Sequence, residues 1–300
     1  MKILETSSKH KIELPIVTAD SIFTYWDKTS KTYKPATHIQ DAGFMASPHN
    51  MIFFGTVGSG KTSLAISCLV NQGKSKLFHG VFDKIYMCCS QESMNSIKGS
   101  PFASIPSDQW YNQFNENMIE DVSRKVSENA EKDEQSLLFI DDAVNRLKSL
   151  QNPLSNLMLT NRHKKLSVWI LAQDFTQIPL NIRSNINTGI FFKQSNAKRI
   201  ELLREEYLSM FSKDEFRKFE NYCFKKKGDA LMINMRLPYR YHLIRDLNIK
   251  EVFFSDLKYS MLENDKEEAE LKSKKRKREL PVFTKLPPVQ GDTCYGVAKR

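Results

Sequence analysis

Eight consecutive residues, Gly55-Thr56-Val57-Gly58-Ser59-Gly60-Lys61-Thr62, combine three glycines with a lysine and a hydroxyl at a spacing suited to holding phosphate. Glycines let a tight loop take conformations closed to other residues and turn successive backbone N–H groups inward. A helix leaving the loop adds the partial positive charge of its N-terminus, and the lysine adds a full one. The pattern GxxxxGK[ST] is met in full. Its context agrees, because the apolar run Met51-Ile52-Phe53-Phe54 leads into Gly55 and a helical stretch leaves from Lys61. The nucleotide-binding set is therefore Gly55, Thr56, Val57, Gly58, Ser59, Gly60, Lys61, Thr62 and Ser63. Lys61 is expected on the β- and γ-phosphates of ATP, and the Thr62 hydroxyl on Mg2+.

Phosphoryl transfer also needs a carboxylate for the metal and a group that orients the attacking water. Leu137-Leu138-Phe139-Ile140-Asp141-Asp142 offers both at the end of a strand-like run. Asp141 is expected to partner magnesium, directly or through water, and Asp142 to polarise the nucleophile. The bland alternative is an acidic pair that caps a strand-to-helix turn. Another strand-like run, Ile85-Tyr86-Met87-Cys88-Cys89, lies between Lys61 and Asp141 in sequence. This fits the P-loop class in which an extra strand separates the phosphate-loop strand from the acidic one. Gln173 closes the next apolar run, where that class carries a polar sensor of the γ-phosphate. No Asn-Lys-x-Asp motif for guanine occurs.

The elements that must position these residues are legible as short apolar runs between polar stretches. Residues 51–54, 84–89, 137–140, 168–172, 190–192 and 230–235 read as strands, mostly continuous runs that suit burial on both faces of a parallel sheet. Helices are expected over 63–72, ending at Gly73, and over 197–211 and 213–224; the polar stretch 108–134 reads as surface helix and loop. Alternation of the two predicts an α/β fold: a P-loop NTPase with a central, mainly parallel sheet flanked by helices, RecA-like and of the additional-strand class. Residues 1–46 read as an N-terminal extension that adds an edge strand or covers the nucleotide, with an exposed loop at 28–35. Residues 47–260 read as the ATPase domain, and 261–300 as a charged mobile tail.

Composition narrows the partners. The 300 residues carry 45 basic and 35 acidic side chains, a net charge of +10, which suits a polyanion. The tail contributes little of that surplus despite the cluster Lys272-Ser273-Lys274-Lys275-Arg276-Lys277-Arg278, because acidic residues precede it. That cluster reads as an import signal, a DNA contact or a solvated tail. No apolar run reaches the length of a membrane span, the N-terminus lacks a secretory signal, and five cysteines without CxxC spacing point to buried free thiols in a reducing compartment.

A third motif carries a resemblance. Asn161-Arg162-His163-Lys164-Lys165-Leu166-Ser167-Val168-Trp169-Ile170-Leu171-Ala172-Gln173, then Ile178-Pro179 and Ile182-Arg183-Ser184-Asn185-Ile186, resembles the genome-packaging ATPases of large DNA viruses, poxviruses and virophages among them. These belong to the FtsK/HerA group of DNA pumps. With the phosphate loop and the acidic pair, the resemblance spans residues 48–195. It implies an ATP-driven ring of identical subunits acting on double-stranded DNA, with capsid proteins as partners and no membrane. The compartment implied is a viral factory in the cytoplasm or nucleus of a host cell, with association to the virion as an alternative. The resemblance makes Gln173 the γ-phosphate sensor, and Arg162 or Arg183 the arginine offered to a neighbouring subunit's nucleotide. Many members of the wider group carry Glu where this chain has Asp142, whose shorter arm would hold water less closely. The rival readings are another viral P-loop motor, such as a helicase or replication ATPase, and a nucleotide-gated assembly protein with negligible turnover.

Overall fold

The computed structural model describes residues 2–7, 48–70, 77–90, 92–93, 101–141, 144–235, 239–246 and 248–255. Asp142, Gly73, Cys294, the loop at 28–35 and the tail cluster at 272–278 lie outside the described residues. The chain divides into two compact units, Leu4–Phe253 and a smaller one made of Met1–Ile3 with Phe254–Arg300. The architecture below is that of the larger unit.

Its strands are β1 (Lys2–Ser7, shared between the units), β2 (Asn50–Phe54), β3 (Lys84–Cys88), β4 (Trp110–Tyr111), β5 (Ser136–Asp141), β6 (Leu166–Ala172), β7 (Thr188–Phe192), β8 (Ala230–Asn234), β9 (Arg240–Arg245) and β10 (Asn248–Ser255, likewise shared from Phe254 on). The helices are α1 (Lys61–Leu69), α2 (Glu116–Glu131), α3 (Val144–Leu147), α4 (Gln151–Leu159), α5 (Leu180–Arg183), α6 (Ala197–Tyr207) and α7 (Lys213–Cys223). Across the sheet the order runs β10-β9-β8-β7-β2-β6-β5-β3-β4. The pairs from β7 to β4 are all parallel, whereas β7–β8, β8–β9 and β9–β10 are antiparallel.

The expected α/β fold is the observed one, and each of the six apolar runs falls on a strand, with Cys89 and Met235 one residue past the ends of β3 and β8. One detail is sharper than sequence order suggested. The strand between the phosphate-loop strand β2 and the acidic strand β5 is β6, the one that ends at Gln173; β3, which lies between them in sequence, sits beyond β5. Every residue of β2, β5, β6 and β7 is buried, so these strands can be apolar throughout. At their centre Trp169 packs among Phe53, Phe78, Phe82 and Phe139 with ring centroids 5.3–6.3 Å apart. Its indole N–H donates to His49 Nε2 at 2.8 Å, which satisfies the one polar atom this large ring brings inside.

Helices close the faces. The stretch expected to be polar and superficial holds α2, whose Asn115 cap accepts from Met118 N. Met118, Ile119, Val122 and Val126 form its buried face at helical spacing. The helix expected over 197–211 stops at Tyr207, where the chain turns so that Leu208 and Phe211 become buried. Arg204 Nη1 donates to the Phe211 carbonyl and closes that turn. The next helix, α7, begins with a reciprocal Ser212–Glu215 capping box. No helix among the described residues is long and apolar enough to cross a membrane.

Candidate functional site

The C-terminal ends of β2, β6 and β5 lie side by side and carry the phosphate loop, Gln173 and Asp141 in that order. Backbone pairing fixes this arrangement. Phe54 pairs with Ala172, Gly55 N donates to the Ala172 carbonyl at 3.1 Å, and Asp141 pairs with Leu171. Residues far apart in sequence are thus held along one edge by sheet register.

Within the loop the glycines serve different needs. Gly58 (φ +70°) and Gly60 (φ +104°) occupy the left-handed region. Gly55 is required for space, since a Cβ there would lie 2.5 Å from Ser59 Oγ and 2.8 Å from Phe192 Cβ. Gly60 caps α1 without a side-chain hydrogen bond, and the first turn of α1 holds no acid. The helix therefore presents its first-turn backbone N–H groups and its positive end to the loop, as an anion requires. Lys61 is buried, and its ammonium donates to the carbonyls of Gly55 (2.8 Å) and Thr56 (3.0 Å), which draws it across the mouth of the loop.

Asp141 is 5% exposed, and its Oδ2 accepts from Thr62 Oγ1 at 3.3 Å and from Ser93 Oγ at 3.3 Å. A hydroxyl and a carboxylate this close are a hard-oxygen pair of the kind that would hold magnesium. Ser93 was missed in the sequence. Ser93 N donates to Ser90 Oγ at 3.2 Å, just past the end of β3, and the position of β3 beside β5 brings this serine to Asp141. Its only sequence signal is a pair of serines closing a strand.

The two candidate arginines have different surroundings. Arg162 is exposed, in the turn between α4 and β6, at the opposite edge of the sheet from its own phosphate loop. The seven residues of β6 put it roughly 20 Å away. Its guanidinium has no ion pair or hydrogen bond among the described residues. Arg183, at the end of α5, is engaged inside the subunit. It pairs with Glu206 at 2.7 Å, donates to the Ile178 carbonyl at 2.6 Å and lies 5.3 Å from the Phe175 ring. Two motif asparagines are structural: Asn161 donates to Asn50 Oδ1 at 3.2 Å, and Asn50 Nδ2 donates to the Asn185 carbonyl at 2.9 Å. They tie the turn bearing Arg162 and the segment after Arg183 to the start of the phosphate-loop strand.

The sequence profile of the poxvirus A32 protein family matches residues 37–220. No curated protein sequence matches the chain significantly. Among solved structures, the chain is similar to the genome packaging NTPase B204 of Sulfolobus turreted icosahedral virus 2 in complex with AMP, with a TM-score of 0.50 and 15% identity over 66% of this chain and 98% of that one. The DNA-packaging ATPase B204 of Sulfolobus turreted icosahedral virus matches with a TM-score of 0.47 and 15% identity, over 66% and 98%. The EssC ATPases 2 and 3 of Geobacillus thermodenitrificans give a TM-score of 0.41 and 14% identity, over 78% and 45%. The first of these likenesses is one of fold, and the profile match extends over more than half of the chain: it belongs to the poxvirus A32 protein family.

Proposed function

We propose that this chain is an ATP-hydrolysing motor that moves double-stranded DNA and packages a viral genome into its capsid. The observation that carries the reading is the convergence of the phosphate loop, Gln173 and Asp141 on one sheet edge, in a member of the A32 family whose fold resembles that of a genome packaging NTPase. In this reading residues 47–260 are the motor domain, 1–46 an extension and 261–300 a tail.

The roles follow from position. The loop N–H groups and the start of α1 bind the polyphosphate, and Lys61 exchanges its carbonyl partners for β- and γ-phosphate oxygens. Thr62 and Asp141 hold Mg2+, which when bound neutralises charge on the transferred group. Asp142 polarises the attacking water, and Gln173, between loop and carboxylate, reports the γ-phosphate. Arg162 is the arginine that acts in trans. It is exposed and unpaired among the described residues, whereas Arg183 would first have to leave Glu206 and the Ile178 carbonyl. The assembly is a ring of identical subunits around DNA, docked on capsid proteins where virions form inside the host cell. DNA is held mainly through its phosphates, so affinity falls steeply with salt and little with base composition.

The test mixes two inactive variants, Asp142→Asn and Arg162→Ala, under conditions that allow subunit exchange. Some mixed interfaces then join an intact phosphate site to an intact arginine, and ATP hydrolysis should partly return. No recovery while both variants assemble normally would remove Arg162 from the trans role; the same mixture with Arg183→Ala should not recover.

A further inference from the structure

The phosphate loop has two flanks. Asp141 and Gln173 stand on the β6 flank, where the γ-phosphate belongs. On the β7 flank lies a cleft of about 470 Å³ bounded by residues 56–59, by residues 192–195 at the end of β7 and just past it, and by the turn at 224–229 ahead of β8. A triphosphate whose γ end is turned toward Thr62 and Asp141 leaves the loop on the β7 flank, so its nucleoside end meets this cleft.

The turn is firmly built. Asp229 is 2% exposed, and its Oδ2 accepts from Lys225 N (3.0 Å), Lys226 N (3.1 Å) and Arg245 Nε (3.1 Å). Arg245 also donates to the carbonyls of Tyr222 and Cys223, and Gly228 (φ +92°) permits the reversal. Three consecutive lysines ride on this frame. Lys226 pairs with Asp246, and the Lys225 ammonium lies 5.4 Å from the Tyr222 ring. Lys227 differs: it is exposed, has no ion pair or hydrogen bond among the described residues, and its ammonium stands 4.0 Å from where a side chain on Gly58 would begin. Standing against a loop rich in N–H groups, this exposed cation is placed to meet an anion that enters the loop. The cleft wall has the complementary deficit. Gln194 Oε1, Asp229 Oδ1 and Ser59 Oγ are buried and lack partners among the described residues, which leaves oxygen acceptors for a ligand that carries donors.

We propose that this cleft receives the nucleoside end of bound ATP and that Lys227 is a further nucleotide-binding residue, which pairs with the α-phosphate. Ribose hydroxyls and the base amine are the donors that suit the unused oxygens. The inference rests on the reading that the loop binds ATP, and the controls separate the two. Affinities for ADP and for a non-hydrolysable ATP analogue are measured by calorimetry on the full chain, for the wild type, Lys227→Ala, Lys227→Gln, Lys227→Arg and Lys61→Ala, each with its melting temperature. Lys227→Ala and Lys227→Gln should weaken both nucleotides by the same factor, roughly tenfold, with little change in melting temperature, and Lys227→Arg should restore most of the loss. Unchanged affinities beside a clear loss in Lys61→Ala would overturn the assignment and leave ATP binding intact. A loss confined to the ATP analogue would place Lys227 at the γ-phosphate, and weaker binding of double-stranded DNA alone would make it a DNA contact; either result also overturns it. If the wild type binds neither nucleotide, the ATP reading itself fails.

Discussion

The sheet has a parallel half and an antiparallel half, and they are built on different terms. In the parallel half β2, β5, β6 and β7 are buried residue by residue, and β2, β6 and β5 carry the candidate site at their C-terminal ends. In the antiparallel half, β9 has half-exposed ends and ties to its neighbours through ions: Arg240 makes a two-pronged pair with Glu251 of β10 at 2.6 and 2.9 Å, and Arg245 reaches Asp229. The parallel half trades tolerance for placement, because a shift of any strand would move Asp141, Gln173 or Gly55 out of line. The antiparallel half carries charge and can absorb substitution. It also supplies the turn before β8 that flanks the phosphate loop.

The largest effect belongs to the reactive edge. Lys61→Ala should abolish ATP hydrolysis and weaken nucleotide binding, while Asp142→Asn should keep ATP bound and unhydrolysed; binding and turnover assays read both. Wild-type turnover by Asp142→Asn would exclude it as the group that polarises water. Next comes the core beneath that edge. Trp169→Ala removes a fully buried ring and strands His49 Nε2, and should cost about 3–5 kcal/mol in denaturant unfolding. A loss below 1 kcal/mol would show that the aromatic cluster repacks freely.

The antiparallel half should respond to pH. His242 on β9 is 1% exposed with neither ring nitrogen partnered among the described residues, and burial lowers its pKa to about 4. The unfolded chain takes up the proton near pH 6.5, but the folded chain resists until about 4. This contribution to stability is therefore complete above pH 6.5 and is lost progressively as pH falls toward 4, by up to about 3 kcal/mol. Unfolding free energies at pH 7 and 5 should differ less in His242→Leu than in the wild type; equal differences would assign the slope to other groups. The smallest effect is expected at the Arg240–Glu251 pair, part-exposed at 40% and 18%. Arg240→Ala should cost no more than about 1 kcal/mol, and less in high salt. A larger loss would mean that the antiparallel half is as tightly determined as the parallel one.

The same contrast explains what the sequence disclosed. Strands such as Leu137-Leu138-Phe139-Ile140 are apolar on both faces, so they stand out as runs, and a run that ends in Gly55, Asp141 or Gln173 marks its own chemical end. The strand Arg240-Tyr241-His242-Leu243-Ile244-Arg245 mixes charge with apolar residues and did not register as a strand, nor did β10, whose Lys250 and Glu251 interrupt it. Ser93 was invisible because its approach to Asp141 depends on the position of β3 beside β5, a fact of strand order. Motif spacing alone left Arg162 and Arg183 equivalent; Glu206 and the Ile178 carbonyl, which separate them, carry no mark of that pairing in the sequence. The run of three lysines at 225–227 gave no sign of facing the phosphate loop, because the contact depends on Asp229 fixing the turn.

The most direct test of the motor reading is ATP turnover by the purified full chain across a range of protein concentrations, with and without double-stranded DNA. An arginine supplied by a neighbour can speed phosphoryl transfer by roughly a thousandfold or more. Turnover per subunit should therefore rise with protein concentration as subunits associate, and rise again with DNA of any sequence. A rate indifferent to both concentration and DNA would contradict the account.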